Sequence, residues 1–221
     1  MIDIFIIMHD CVDNLLLIKK EIQLKNSNTE IIAVTKTFPI KSILPLINFG
    51  HKHYGENKVQ EALEKWTDIK NDFIDIRLHF IGKLQSNKVK YVLPLFDYIH
   101  SLDNLKLAEK ISLEQKKKNV RPKIFIQVNI GNEEQKNGIE IDRLEEFKQE
   151  CINTFNLDIV GLMCIPPANT NPKIFFTEMN ILKDKMNLKE LSMGMSGDYL
   201  EATESKATFV RIGSKVFGKR I

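Results

Sequence analysis

The sequence predicts an α/β protein folded as a single (β/α)8 barrel of the TIM type. Three observations favour this architecture. Short apolar segments alternate with longer segments of helical periodicity, the apolar segments number eight, and no linker rich in proline or glycine interrupts the series. Residues 1–221 are therefore expected to form one domain, since barrels of this length commonly do. An open, doubly wound sheet is the alternative, and the strand count favours the barrel.

The elements follow one another in a regular order along the chain. An amphipathic helix near residues 12–24 precedes the first strand. Strands are predicted near residues 31–35, 53–55, 78–82, 98–101, 123–129, 159–164, 190–193 and 209–212. Helices are predicted between them, at residues 40–49, 58–66, 86–93, 104–117, 141–151, 172–186 and 199–206. The second strand has the least apolar content of the eight.

The composition argues against several classes of partner. The 32 basic and 29 acidic residues give a net charge of +3, too small to indicate a nucleic acid or an anionic membrane. No apolar run reaches the roughly 20 residues of a membrane helix, and no secretory signal is apparent. Cys11, Cys151 and Cys164 are odd in number and lack metal-ligand spacing. This pattern predicts buried thiols in a reducing, cytoplasmic setting and no metal site.

Lys36 directly follows the apolar segment at residues 31–34, at the carboxyl end of the predicted first strand. In a barrel, the residues that follow the strands share one rim, and functional sites lie there. A lysine held beside apolar walls loses its proton more readily and becomes the nucleophilic amine that a Schiff base needs. A solvated surface charge is the ordinary alternative for a lysine in this position.

Two loops rich in small residues follow the last two predicted strands. They read SMGMSG at residues 192–197 and RIGS at residues 211–214. The loops after strands seven and eight form the usual phosphate site of this fold. Glycine lets backbone N–H groups approach an anion, serine adds a hydroxyl donor, and the helix near residue 199 adds its N-terminal dipole. We therefore expect a phosphate site across the barrel mouth from Lys36.

An amine and a phosphate site on one rim suggest pyridoxal 5′-phosphate (PLP). That cofactor needs an amine for its aldehyde, donors for its phosphate and a partner for its ring nitrogen. Arg211 is the candidate for the ring nitrogen, because it immediately precedes the second phosphate loop. A salt bridge that closes the barrel is the alternative role for this arginine.

Six motifs resemble those of the pyridoxal phosphate homeostasis proteins, the YggS/PROSC family. They are AVTKT (33–37), YGENKVQE (54–61), HFIGKLQSNK (79–88), VGLMCIPP (160–167), SMGMS (192–196) and VRIGSKVFG (210–218). The resemblance runs in the right order from about residue 31 to residue 220. This family is similar to the N-terminal barrel domain of alanine racemase and lacks that enzyme's second, β-rich domain.

The resemblance implies seven cofactor-binding residues, which are Lys36, Asn57, His79, Ser196, Arg211, Gly213 and Ser214. The lysine matches the residue that carries PLP as a Schiff base, and the arginine matches the ring-nitrogen contact. The residues at positions 196, 213 and 214 match phosphate contacts, and those at 57 and 79 match polar positions around the ring. No metal ligand and no dedicated catalytic residue is expected.

The sequence departs from the family pattern at three positions. Ser214 stands where threonine is more frequent, which keeps the hydroxyl. Lys83 adds a charge at the rim, at a position where proline or another residue is common. Gly197 replaces a common acidic residue, which is expected to loosen the cap of the following helix.

Three functions fit these observations. The first is a monomeric PLP-binding protein of intracellular vitamin B6 homeostasis that supplies PLP-dependent apo-enzymes without turnover of its own. An arginine at the ring nitrogen disfavours its protonation and weakens the ring as an electron sink. The alternative is a PLP-dependent, racemase-like enzyme, which needs a second acid/base that the related racemase takes from its other domain. Here Tyr54 and His100 are interpreted as a strand residue and a core residue. The third is a barrel that binds another phosphorylated metabolite without a covalent bond.

Overall fold

The computed structural model describes residues 9–25, 28–133, 135 and 137–218. Eight parallel strands form a closed barrel in which consecutive strands are neighbours and the eighth strand pairs with the first. This closure confirms the predicted (β/α)8 architecture and excludes the open, doubly wound sheet. Among the described residues, no helix combines the length and the apolar character needed to cross a bilayer.

The strands lie close to their predicted positions. They are β1 (Glu30–Val34), β2 (His53–Glu56), β3 (Arg77–Phe80), β4 (Tyr98–Leu102), β5 (Lys123–Gln127), β6 (Asp158–Met163), β7 (Glu190–Ser192) and β8 (Phe209–Ile212). The third and fifth strands end two residues earlier than predicted. Beyond β5, Val128 donates from its backbone N–H to the Met163 carbonyl oxygen at 2.8 Å and forms an isolated bridge with Ile139.

Nine α-helices are found in the described residues. They are α1 (Asp10–Gln23), α2 (Ile40–Asn48), α3 (Val59–Asp72), α4 (Val89–Val92), α5 (Leu105–Lys118), α6 (Leu144–Asn153), α7 (Pro172–Lys185), α8 (Tyr199–Glu204) and α9 (Ser214–Phe217). Short 3-10 turns at Ser86–Lys88 and Ile141–Arg143 precede α4 and α6, where the sequence predicted continuous helix. The short α9 falls where a loop was expected.

The core has two layers, as the strand periodicity requires. Side chains that point outward from the barrel pack against the helices; Tyr54 and Trp66, for example, meet between β2 and α3 with ring centroids 4.9 Å apart. Inside the barrel, Ile32, Tyr98, Phe125, Met163 and Phe209 form a separate apolar cluster. This cluster occupies part of the barrel interior, and functional sites of this fold lie at the rim where the strands end.

Candidate functional site

Lys36 lies in a tight turn that begins where β1 ends, and its side chain is half-buried. The next residue, Thr37, has a left-handed backbone with φ of 69°, which is unusual for a β-branched residue. Such conformations persist only where neighbouring contacts impose them, and they concentrate at functional turns. The backbone N–H of Thr37 donates to Glu61 on α3, which is one of those contacts.

A buried carboxylate fixes the other side of the same turn. Glu56, at the end of β2, is fully buried and accepts hydrogen bonds from the Thr35 hydroxyl at 2.7 Å and from Trp66 Nε1 at 2.9 Å. Lys65 Nζ donates to Glu56 at 2.8 Å, to the Thr35 carbonyl at 2.8 Å and to Glu61 at 3.0 Å. The residues on both sides of Lys36 are therefore anchored to α3 and β2.

The two phosphate-loop candidates lie on the same rim as Lys36 but not across from it. Because the barrel closes between β1 and β8, the loop that carries Gly213 and Ser214 is next to the turn that carries Lys36. A Cβ at Gly213 would lie 3.4 Å from the Val34 carbonyl oxygen. The Ser196 loop follows β7, one strand further round the barrel. The expectation that the phosphate site lies across the barrel mouth from Lys36 is wrong, because closure of the barrel makes the first and last strands neighbours.

The loop after β7 is shaped by a glycine and a carboxylate. Gly194 has φ of +86°, and a Cβ there would lie 2.5 Å from the Cβ of Ala202 on α8. Asp198 accepts a hydrogen bond from the Met195 backbone N–H at 2.6 Å, which closes the loop around Ser196. Ser196 is half-buried, whereas Ser214 is exposed in the first turn of α9. Backbone N–H groups of a first helical turn have no intrahelical partner, so they are available to an anion.

Arg211 is buried inside the barrel on β8, in register with Ile32 of β1. Its Nη1 donates to Ser192 Oγ at 2.8 Å, and its Nη2 donates to the Cys164 carbonyl oxygen at 2.9 Å. These two bonds use two of the five donors of a guanidinium. The alternative role of a barrel-closing salt bridge does not match these partners, which are a hydroxyl and a carbonyl. Burial lowers the pKa of this guanidinium, which nevertheless remains protonated.

Asn57 follows β2 at the rim, on the strand next to β1. Its Oδ1 is buried, and no hydrogen-bond donor of the described residues reaches it. Gly82 makes this position possible, since a Cβ at residue 82 would lie 2.3 Å from the Asn57 carbonyl oxygen. A buried acceptor without a partner is costly, and a ligand donor would satisfy it.

His79 lies deeper than the other predicted residues. It is fully buried on β3, where its Nε2 lies 2.9 Å from His53 Nδ1 and its Nδ1 lies 2.9 Å from His100 Nε2. Both ring nitrogens are therefore engaged below the rim. His100 in turn contacts Ser192 Oγ at 2.8 Å, which links the histidines to Arg211.

The structure shows the surroundings of Lys83 and Gly197, two positions at which the sequence departs from the family pattern. Lys83 Nζ donates to Asn137 Oδ1 at 2.7 Å, so this exposed charge ties the loop after β3 to the loop after β5. Gly197 is exposed, and nothing lies within 4 Å of a Cβ built there. The helix that follows has no side-chain N-cap bond, because the Asp198 carboxylate is directed to Met195.

The sequence did not reveal the residues that support the site from inside the barrel and from the interface between β2 and α3. Ser192 was noticed only as the start of a loop, and His53 only as a strand residue. Glu56 lies at the end of β2, and its side chain points outward to α3, where it pairs with Lys65. The alternation of β2 could have revealed this, since Asn57 and Glu56 must point to opposite faces.

The three cysteines are free thiols; Cys151 and Cys164 are buried as predicted, whereas Cys11 is only half-buried. Burial raises the pKa of each of these two thiols to about 12. Across the described residues, no group of three or more histidine, cysteine, aspartate or glutamate side chains is arranged to hold a metal ion.

Comparison with known proteins places this chain in a family. Residues 10–220 match the family described as alanine racemase, N-terminal domain. A pyridoxal phosphate homeostasis protein of Aquifex aeolicus is 40% identical over 200 residues, covering 86% of this chain and 87% of the relative. The chain belongs to the pyridoxal phosphate homeostasis protein family. Members from Vibrio cholerae and Escherichia coli are 38% and 34% identical, over 88% and 86% of this chain.

Solved structures agree with this family assignment. PipY of Synechococcus elongatus, in a structure with PLP bound, has a TM-score of 0.84 and 30% identity, covering 95% of this chain and all of that one. The PLP-free structure of the same protein has a TM-score of 0.85 and 31% identity, with 93% and 99% of the two chains covered. An alanine racemase of Clostridium difficile, at a TM-score of 0.72 and 14% identity, covers 94% of this chain and 57% of that one. It shares the fold.

Proposed function

We propose that this protein binds PLP through a Schiff base to Lys36 and takes part in PLP homeostasis without catalysing a reaction of its own. The observation that carries the proposal is the meeting of Lys36, Asn57, Arg211 and the loops after β7 and β8 on one barrel rim. The relative PipY, 30% identical over 95% of this chain, has been solved with PLP bound.

The residues of the rim fit the chemical demands of PLP. The cofactor supplies an aldehyde that condenses reversibly with a primary amine, and a ring that accepts electrons. Lys36 provides the amine in a turn held by Glu56 and Glu61. Arg211 retains donors for the ring nitrogen, and the unsatisfied Asn57 Oδ1 accepts from a donor on the ring. Ser196, Gly213 and Ser214 provide the phosphate contacts.

His79 has a different role in this proposal from the direct ring contact that the resemblance implied. Both of its ring nitrogens already bond to other histidines, so it has no polar atom for the cofactor. We assign it to the support of Arg211, through His100 and Ser192.

The same residues support binding without turnover. Arg211 is a buried cation with no acceptor, so it does not favour a protonated ring nitrogen. An unprotonated ring stabilises a carbanion poorly. Racemisation also needs a second acid/base. Tyr54 faces α3 behind the barrel wall, and burial raises its pKa far above 10; His100 is enclosed in the barrel interior.

The racemase-like alternative rests on shared fold, since the structural match to alanine racemase has 14% identity. The test is the visible spectrum of purified protein mixed with PLP, before and after borohydride, with amino-acid turnover measured in parallel. We expect a yellow chromophore, a borohydride-stable adduct on Lys36 and no turnover. Turnover would favour the enzyme, and the absence of a chromophore would favour a barrel for another phosphorylated metabolite.

We further propose that the protein acts as a cytoplasmic monomer of one domain and that PLP-dependent apo-enzymes receive its cofactor. The supporting observations are the two buried free thiols, which suit a reducing compartment, and a barrel whose rim carries the complete residue set in one chain. Size-exclusion chromatography with light scattering tests the monomer. Transfer to an apo-enzyme is tested by recovery of that enzyme's activity, and no recovery would contradict the proposal.

A further inference from the structure

A continuous hydrogen-bond chain crosses the inside of the barrel from β2 to β8. His53 Nδ1 lies 2.9 Å from His79 Nε2, and His79 Nδ1 lies 2.9 Å from His100 Nε2. His100 Nδ1 lies 2.8 Å from Ser192 Oγ, which accepts a bond from Arg211 Nη1 at 2.8 Å. Each link joins side chains from two different strands, so closure of the barrel assembles the chain. We refer to His53, His79, His100 and Ser192 as the histidine chain.

The three rings are neutral near pH 7. Burial lowers the pKa of His79 and that of His100 well below 6.5. Burial and the nearby Arg77 cation lower the pKa of His53 to about 4. A neutral imidazole has one donor nitrogen and one acceptor nitrogen. Because each inner ring bonds through both nitrogens, the whole chain must point in a single direction.

Two directions satisfy the bonds between the rings. In the first, the Ser192 hydroxyl donates to His100 Nδ1, and each ring donates from Nε2–H to the next ring. In the second, each ring donates from Nδ1–H towards Ser192, whose oxygen then accepts from both His100 and Arg211. The tautomers of all three histidines differ between the two directions.

Arg211 decides between them, because a guanidinium only donates and stays charged. In the second direction, the Nδ1–H of His100 points its positive end towards this cation. The Ser192 hydroxyl proton also loses its acceptor, since within the described part of the chain Ser192 Oγ bonds only to His100 and Arg211. In the first direction, the hydroxyl and all three rings turn their negative ends towards the cation, and every buried donor of these links is satisfied.

We propose that the histidine chain is a set of positioning residues, polarised by Arg211 and held in the neutral Nε2–H tautomer, that fixes the Arg211 guanidinium for the ring end of the ligand. The chain does not relay protons to the site, because arginine keeps its own proton. The assignment of the ring end rests on the proposed function, whereas the tautomers do not depend on it.

The tautomers are tested on cofactor-free protein labelled with ¹⁵N. A long-range ¹H–¹⁵N correlation spectrum of the imidazole rings at pH 7 shows which nitrogen carries the proton in each ring. We expect His53, His79 and His100 to be neutral, with the proton on Nε2. An Nδ1–H tautomer or an imidazolium at His79 or His100 would overturn the proposal.

Substitutions at each end of the histidine chain test whether Arg211 sets the direction of its hydrogen bonds. Ser192→Ala removes the link to Arg211, so His100 should become a mixture of tautomers, whereas Ser192→Thr keeps the hydroxyl and should keep Nε2–H. His53→Leu cuts the far end and should leave His100 unchanged, as should His53→Asn, which retains an acceptor. If His100 responds to His53→Leu and not to Ser192→Ala, the polarity does not originate at Arg211. If Ser192→Ala does not fold, Arg211→Met removes the cation and should give the same mixture.

The positioning role is tested with PLP. Ser192→Ala should raise the Kd for PLP about ten-fold, the effect of one lost hydrogen bond, and should shift the ¹⁵N signal of the labelled ring nitrogen. Ser192→Thr should restore both. An unchanged Kd with an unchanged ring-nitrogen signal would overturn the positioning role. A wild-type protein that does not bind PLP would instead overturn the proposed function, and the tautomer result would stand.

Discussion

The Thr35 hydroxyl donates to the fully buried carboxylate of Glu56 at 2.7 Å, immediately before Lys36 in the chain. Lys65 adds a second tie, from its Nζ to both Glu56 and the Thr35 carbonyl oxygen, at 2.8 Å each. The turn that carries Lys36 is therefore held by a buried ion pair on its outer side. The position of Lys36 therefore depends on Glu56 and Lys65, which lie between β2 and α3.

Glu56→Gln should destabilise the protein by about 3 kcal/mol, the low end of the cost of removing one partner of a buried ion pair. The low end is expected because Lys65 keeps its pairing with Glu61. Urea unfolding measures the change. Glu64→Gln is the control, because Glu64 is exposed on α3, the helix that carries Lys65. This variant should change the free energy of unfolding little. Equal stability of the two variants would show that the buried pairing of Glu56 with Lys65 does not stabilise the fold.

Lys36→Ala should abolish the covalent adduct that forms when borohydride reduces the PLP-loaded protein, because the nucleophilic amine is lost. Intact-mass analysis and peptide mapping locate the adduct. Lys83→Ala is the matched control, since Lys83 is an exposed rim lysine bonded to Asn137. An adduct found mainly on another lysine in the wild type would reject the assignment of Lys36.

Ser196→Ala should weaken cofactor retention by roughly 0.5–1.5 kcal/mol, or up to about 3 kcal/mol if the hydroxyl bonds a charged phosphate oxygen. Ser214→Thr keeps the hydroxyl and serves as the control. Equilibrium dialysis with PLP and with pyridoxal, which lacks the phosphate, measures the effect. Equal affinity for the two compounds would show that the loops after β7 and β8 do not hold a phosphate.

The PLP-loaded wild type should show negligible exchange of the amino-acid α-proton for solvent deuterium. The reason is Arg211, a buried donor-only cation that does not support a protonated ring nitrogen. Arg211→Glu should favour ring protonation and allow slow side reactions, and Lys36→Ala is the negative control. Multiple turnovers at rates on the order of 1 per second or faster would establish an enzyme instead.

Stability should fall as the pH decreases from 7 to 5, because four histidines stay neutral in the fold. Burial lowers the pKa of His51 to about 3 and that of His53 to about 4. Burial also lowers the pKa values of His79 and His100 well below 6.5. Below pH 6.5 the unfolded chain binds protons that the folded chain does not, so the free energy of unfolding falls.

The fall should be about 1.4 kcal/mol per pH unit for each neutral histidine, ending near pH 4 for His53 and near pH 3 for His51. Urea unfolding at pH 7, 6 and 5 measures it, in a range above the titration of most carboxylates. His53→Asn removes one titrating group and should make the dependence shallower. A stability that is flat over this range would show that these histidines are protonated in the fold.

The sequence alone determined the architecture because its evidence is local. Alternating apolar segments and intervening helical periods specify strands and helices, and eight repeats leave the closed barrel as the natural arrangement. The position of Lys36 just after β1, and the small residues after β7 and β8, follow from the same local pattern. Their placement on one rim needs only the rule that the carboxyl ends of parallel strands lie at the same end of the barrel.

Only the tertiary structure decided how distant segments meet. Pairing of β1 with β8 made Lys36 a neighbour of the Gly213 loop. The link between His100 and Ser192 joins residues 92 positions apart, and that between Thr35 and Glu56 depends on which face of β2 meets α3. Such contacts arise from the register and packing of the closed barrel, which local periodicity does not encode. The sequence therefore indicated candidate residues at the ends of the strands, and the fold revealed the contacts that hold those residues in place.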